Sequence, residues 1–182
     1  MHTEKNSIRD SYEALGGRLY DTRYEQEQES KFERILQHVM IDNNEIALDV
    51  GCGTGLLLRK LKNPSVGIDI SQRLLSRARN ITRRRKTSHL IHADVENLPF
   101  RQKVFEKVFS VTMIQNTPDP KRSILEMARV SRANSDIVVT ALKKSYSMEE
   151  LKQLIRGSNL LIRIMIEDEM LKDWIAITMR LF

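Results

Sequence analysis

With 182 residues, 41% hydrophobic and 30% charged, the chain has the length and composition of one globular domain, which excludes a disordered or fibrous protein. No apolar run nears the roughly 18 residues that cross a bilayer, the opening MHTEKNSIRD has no apolar signal core, and Cys52 is the only cysteine. A disulfide framework and a zinc cluster built within the chain are thereby excluded, and a cytoplasmic setting is expected.

The net charge of +6 is local: Arg73, Arg77, Arg79, Arg83, Arg84, Arg85 and Lys86 fall in one stretch without an acid, so the remainder sums to −1. No repeat, low-complexity tract or Pro/Gly-rich linker interrupts the chain. The first periodic segment is Tyr24 to Met40, where Phe32, Ile35, Leu36 and Val39 share one helical face. Ile46 to Val50 then runs apolar into a cluster of glycines, as a buried strand entering a tight turn does. Leu56 to Lys62 reads as a helix stopped by Asn63-Pro64, and Val66 to Ile70 as a second strand. Ser71 is a suitable N-cap for the basic helix that follows.

Leu90 to Val95 makes a third strand, Val104 to Met113 holds a fourth, and Pro120 to Arg132 is a helix. Ile137 to Leu142 is a fifth strand, and Met148 to Arg156 a helix with Ser147 and Glu150 at capping-box spacing. From Leu160 to Phe182 two apolar stretches about Lys172-Asp173 suit an antiparallel pair. Strands alternating with helices predict a parallel sheet covered on both faces, to which the terminal pair adds one reversed strand.

The informative segment is ALDVGCGTG, Ala47 to Gly55. Gly51, Gly53 and Gly55 stand where a strand turns into a helix whose first amides are free, so backbone can approach a ligand closely. Asp69 lies twenty residues after Asp49, at the next strand tip, where a carboxylate can accept from both hydroxyls of a ribose. Asp94 ends the third strand, within reach of an adenine amino group. Three acids at adjacent strand tips describe a pocket for a cationic, adenosine-bearing ligand. The spacing is G-x-G-x-G, and the sixth position from Gly51 is Leu56, against the G-x-G-x-x-G of dinucleotide sites. Asp49 would repel a pyrophosphate and welcome an ammonium group, so S-adenosylmethionine is the better ligand than a dinucleotide.

These segments resemble the class I S-adenosylmethionine-dependent methyltransferases, in particular the type 11, quinone-methyltransferase-like group. DVGCGTG at Asp49–Gly55 matches the first motif of that family, and GIDIS at Gly67–Ser71 its ribose-binding strand end. ADVENLPF at Ala93–Phe100 is similar to its adenine loop, and VFEKVFSVTMIQNTPDP at Val104–Pro120 to its fourth strand and loop. The resemblance implies a Rossmann-like α/β fold with a seven-stranded, mostly parallel sheet, one antiparallel strand and helices on both faces. It implies a single domain over 1–182, with a helical cap at 1–44 and the core at 45–182. The turn of Gly51, Cys52, Gly53 and Gly55 would hold the methionine moiety and Asp49 its amino group. Asp69 would hold the ribose, Ile70 would pack on adenine, and Asp94 and Val95 would meet its edge.

The chain departs from the family in three places. Gln115-Asn116-Thr117 replaces a histidine-rich stretch, Glu106 stands for the usual Asp, and Ala133-Asn134-Ser135-Asp136 replaces Gly-Gly before the fifth strand. Methyl transfer chiefly needs an aligned nucleophile, with a base only where the acceptor must lose a proton. Gln115 and Asn116 in the loop after the fourth strand, and Tyr20 in the N-terminal segment, are the catalytic candidates. Supporting the loop is an equal reading for Gln115 and Asn116, and helix packing for Tyr20. No metal ligand set is expected, and His92 reads as structural.

Only about four residues separate the fifth strand from the helix at Ser147, too few for a lid, so the site should be open to a macromolecule, RNA or a translation factor. The resemblance also suggests a small zinc-binding activator protein pairing with the edge strand His89–Ala93, a homodimer being the alternative. Two other functions stay open: a small-molecule methyltransferase of the quinone type, and a cofactor-binding regulatory subunit without catalysis. For Arg83–Lys86, cations suited to a helix C-terminus explain the cluster as well as RNA does.

Overall fold

The computed structural model describes residues 18–180, and side chains from Glu25 to Arg180. Tyr12, Tyr20 and Tyr24 therefore lie outside the residues whose side chains are described. Among the described residues five α-helices and seven strands follow in the order α1 (Arg18–Leu36), β1 (Ala47–Val50), α2 (Leu56–Lys60), β2 (Ser65–Asp69), α3 (Gln72–Thr82), β3 (Ser88–His92), β4 (Phe105–Ser110), α4 (Pro120–Val130), β5 (Ser131–Leu142), α5 (Met148–Arg156), β6 (Leu160–Ile166) and β7 (Asp173–Arg180). The sheet order is β3-β2-β1-β4-β5-β7-β6. β1 to β5 pair in parallel, and β7 runs antiparallel to both β5 and β6, so one strand is reversed. The expected mostly parallel sheet is the one observed.

Period-two alternation divides the core between the faces. Leu48, Val50, Val108, Ile137 and Val139 pack with Ile124 and Met127 of α4 and with Leu151 and Ile155 of α5. Ala47, Phe109, Val138 and Ile177 pack instead with Phe32 and Ile35 of α1, Leu57 and Leu58 of α2, and Leu75 of α3. Among the described residues no helix is long and apolar enough to cross a membrane.

Capping chemistry sets most boundaries. Ser71 Oγ accepts from Leu74 N at the start of α3, and Asp119 accepts from Arg122 N at the start of α4. Ser147 and Glu150 close the expected capping box on α5. Several boundaries differ from the sequence reading, three of them with a bearing on the site or the sheet. α1 ends at Leu36, before the expected Met40. β3 ends at His92 because Asp94 turns away to cap a 3-10 turn, its side chain accepting from Glu96 N. β5 begins six residues early, at Ser131, where it pairs with Phe105 before a register shift at Phe105/Lys107. The glutamate at 106 accepts from Ile46 N at 2.8 Å and pairs with Arg132.

Candidate active site

The carboxyl-terminal ends of β1, β2 and β4, the loop after β3 and the side of α1 enclose one pocket. Its floor is the turn after β1. Gly51 N and Cys52 N both donate to Ile68 O, at 2.9 and 2.8 Å, folding the turn back on β2. Gly51 has φ 73° and Gly53 φ 52°, left-handed values that glycine adopts without strain. A Cβ at Gly51 would also run into the Met113 side chain, which fills the space that the glycine leaves.

Asp69 is nine-tenths buried and anchored at both oxygens. Oδ2 accepts from Gly53 N and Oδ1 from Ser71 N, each at 2.8 Å. Each oxygen keeps a further lone pair for a ligand hydroxyl. Burial raises its carboxyl above the ordinary range, while the two amides oppose that rise.

Asp49 differs. It is 3% exposed, lines the same pocket, and no described residue donates a hydrogen bond to it. Burial, reinforced by the neighbouring Asp69 charge, pushes its pKa up to about 8. A buried carboxyl with nothing to hold is costly unless a ligand completes it. The group that would complete it is a cation with hydrogen-bond donors. Burial also raises the Cys52 thiol, so Cys52 is a wall rather than a nucleophile.

Of the residues singled out in the sequence, Asp49, Gly51, Cys52, Gly53, Asp69, Ile70, Asp94, Val95 and Asn116 come together around this pocket. Gly55 does not. Its φ of 84° starts α2, and a Cβ there would press on Ala78 of α3, so it is a packing glycine. Gln115 faces a neighbouring cavity with Lys143, Lys144 and Lys172, and its amide donates to Thr112 O at 2.7 Å. The Tyr20 side chain lies outside the described residues. His92 contacts Ile70 O through Nε2 at 2.8 Å, a structural use at the tip of β2.

Sequence reasoning missed Gln28, Thr112 and Met113 on the pocket wall. Thr112 has φ 56°, an unusual value for a β-branched residue. Its hydroxyl accepts from Gln28 Nε2 (3.2 Å) and Lys31 Nζ (2.9 Å), and donates to Asp173 Oδ2 (2.8 Å). Its amide donates to Thr140 Oγ1 at 2.7 Å. Lys31 and Asp173, both fully buried, form an ion pair at 2.8 Å, and Glu27 reaches the same ammonium at 3.0 Å. The kinked backbone that presents Met113 to Gly51 is thus fastened from behind by α1, β5 and β7.

Residues 48–139, half of the chain, match the family model of the methyltransferase domain. An uncharacterized protein of Methanocaldococcus jannaschii is 31% identical over 86% of this chain and 60% of its own length. A phosphatidylethanolamine N-methyltransferase of Cereibacter sphaeroides is 31% identical over 66% of this chain and 62% of its own length. A tRNA U34 carboxymethyltransferase of Shewanella woodyi is 33% identical over 62% of this chain and 36% of its own. The chain thus spans about three-fifths or less of the length of these relatives. Among solved structures, a Haloferax volcanii chain determined in complex with the Trm112 methyltransferase activator superposes with a TM-score of 0.84. It is 16% identical, over 96% of this chain and 98% of that one, a likeness of fold.

Proposed function

The chain belongs to the methyltransferase-domain family of class I S-adenosylmethionine-dependent enzymes, and on that premise we propose that it methylates an RNA or a translation factor. S-adenosyl-L-methionine is the family's cofactor and supplies a methyl group already activated by its sulfonium. The observation that carries the reading is the buried carboxyl of Asp49, without a hydrogen-bond partner among the described residues, in the same pocket as the doubly anchored Asp69. In this proposal Asp49 takes the cofactor's ammonium group, Gly51 to Gly53 lie along its methionine moiety, and Asp69 accepts from the ribose. Ile70, Asp94 and Val95 form the adenine end. Asn116, on the pocket wall, is the nearer candidate to orient an acceptor. Gln115 supports the loop from the neighbouring cavity, and Tyr20, in the N-terminal segment, acts as a lid over the cofactor.

A macromolecular acceptor is supported by the connection from β5 to α5, where only residues 143–146 separate Leu142 from the cap Ser147. No inserted lid stands there to exclude a large substrate. Among the described residues β3 is paired on one side only, so its outer edge can accept a further strand. The fold shared with the activator-bound Haloferax chain supports a small activator protein at that edge; a homodimer through it is the alternative. A cytoplasmic, single-domain enzyme over 1–182, capped by 1–44, completes the proposal. The Cereibacter relative, which by its name acts on a lipid head group, favours a second reading with a small-molecule acceptor.

Calorimetry with S-adenosylmethionine, S-adenosylhomocysteine and NAD tests the pocket: affinity for the first two and none for NAD is expected, and the reverse would sink the proposal. Transfer of labelled methyl groups into RNA, protein or lipid fractions then separates the two acceptor readings. Replacing Asp69 with alanine is expected to weaken cofactor binding by about 1–3 kcal/mol, because it removes acceptors of the ribose and frees Gly53 N and Ser71 N. Unchanged affinity would show that the ribose lies elsewhere.

A further inference from the structure

The basic stretch from Arg73 to Lys86 is not absorbed by cofactor chemistry, and neither of the two ordinary explanations covers all of it. The first is the helix dipole. Of the seven cations only Arg79 lies in the last turn of α3, with Arg83 as the C-cap. The field of a helix end fades within a turn, so it covers Arg79, Arg83 and Arg84 at the end of α3 but not Arg73 and Arg77, which lie too early. The second is ion pairing. Eleven lysines and arginines elsewhere in the described residues make ion pairs with acids. Among those residues, Arg77, Arg79, Arg83, Arg84, Arg85 and Lys86 make none. The Arg85 guanidinium donates to the carbonyl of Arg59, not to an acid. Six unpaired cations crowded on one helix and its following turn repel one another, a cost that an anionic partner would remove.

Placement gives the patch a direction. α3 starts at the pocket, where Ser71 and Leu74 are part of the wall, and runs away from it for about 16 Å, eleven residues at roughly 1.5 Å each. Its exposed positions are Gln72, Arg73, Ser76, Arg79 and Asn80, followed by Arg83, Arg84, Lys86 and Thr87 in the turn. The face is entirely polar. The exposed large hydrophobic residues, Met40, Leu125, Leu161 and Met170, all lie elsewhere. Protein interfaces have an apolar centre, whereas nucleic-acid interfaces are polar and strongly positive. Arginine, six of the seven cations, is also the side chain whose fork matches phosphate.

We infer that the exposed face of α3 and the Arg83–Lys86 turn form a docking track for the phosphodiester backbone of RNA, leading to the pocket mouth. The inference rests on the RNA reading of the acceptor and names the surface that would hold it. A track of about 16 Å is long enough to meet several phosphates of one strand.

The test is fluorescence anisotropy of a labelled 20-nucleotide single-stranded RNA with the full chain, between 50 and 300 mM salt. The variants are Arg83→Glu/Arg84→Glu and, as a control of equal charge change on α5, Lys152→Glu/Arg156→Glu. S-adenosylhomocysteine affinity is measured in parallel. The track predicts a tenfold or greater loss of RNA affinity in the first pair. Its slope of log K against log salt should become shallower by about 1.4, about 0.7 for each phosphate no longer neutralised. The control pair should change little, and cofactor affinity should hold in both. No RNA binding by the wild type, an equal loss in the control, or displacement by polyglutamate as readily as by RNA would overturn the inference, the last in favour of an acidic protein. RNA binding without S-adenosylhomocysteine binding would instead overturn the methyltransferase reading and leave the track standing.

Discussion

Replacing Asp49 with asparagine is expected to make the protein more stable and to remove its cofactor binding. In the folded chain this carboxyl titrates near 8, against about 3.8 when unfolded, because it is buried beside Asp69. The unfolded chain therefore releases its proton first. The stabilisation contributed by this one group is greatest below pH 4 and is lost as pH rises from there to about 8, by about 1.4 kcal/mol for each unit. Asparagine cannot ionise, so its advantage should grow over that window, reaching about 2–4 kcal/mol at pH 8 after allowing for its own amide hydrogen bonds. Urea unfolding of both proteins at pH 5, 7 and 8.5 measures the difference; a gap independent of pH would show that Asp49 is already ionised. Cofactor binding has the opposite sign. Only the carboxylate pairs with an ammonium group, so wild-type affinity for S-adenosylhomocysteine should rise about tenfold from pH 6 to pH 7, with a proton released on binding. The asparagine variant should bind poorly at every pH. A residue that costs stability when empty and is needed when filled is what a ligand site, rather than a core position, requires.

The acids and glycines of this site are legible in the sequence because each sits at the end of its own strand. Asp49, Gly51, Asp69 and Asp94 need only the alternation of strands and helices to be brought to one edge of a parallel sheet. The regular spacing hides a division of labour: Gly51 and Gly53 line the pocket, but Gly55 packs against Ala78. The residues that sequence reasoning missed reach the pocket by tertiary routes. No local signal marks Thr112 as left-handed, since that conformation is imposed by partners on three other elements. Gln28 could have been found. It lies four residues before Phe32 and seven before Ile35, on the apolar stripe of α1, and a polar residue there must meet a partner once the stripe is buried. The capping chemistry of α3, α4 and α5 was local and readable. The early start of β5 was not, because it depends on an irregular pairing with Phe105.

Replacing Lys31 with methionine should have a comparably large effect, in the direction of loss. Its ammonium is fully buried, as is the Asp173 carboxylate 2.8 Å away, and the same carboxylate accepts from the hydroxyls of Thr112 and Thr140. Taking away one member leaves a buried charge without its counter-ion, which costs about 3–5 kcal/mol. The double variant Lys31→Met/Asp173→Asn removes both charges and should recover more than half of that loss, so a double-mutant cycle by urea unfolding isolates the pair. Recovery of stability need not restore the pocket. The Thr112 hydroxyl makes three hydrogen bonds, all it can form, and two of them come from α1. Without Lys31 the left-handed backbone at Thr112 loses a restraint, and Met113 is freed from its seat at Gly51. The double variant is therefore expected to fold well and to bind S-adenosylhomocysteine about tenfold more weakly. Full affinity in a stable double variant would reduce the pair to a brace between α1 and β7. Weakened affinity would make the first described helix a part of the cofactor site, acting through a buried ion pair that never touches the ligand.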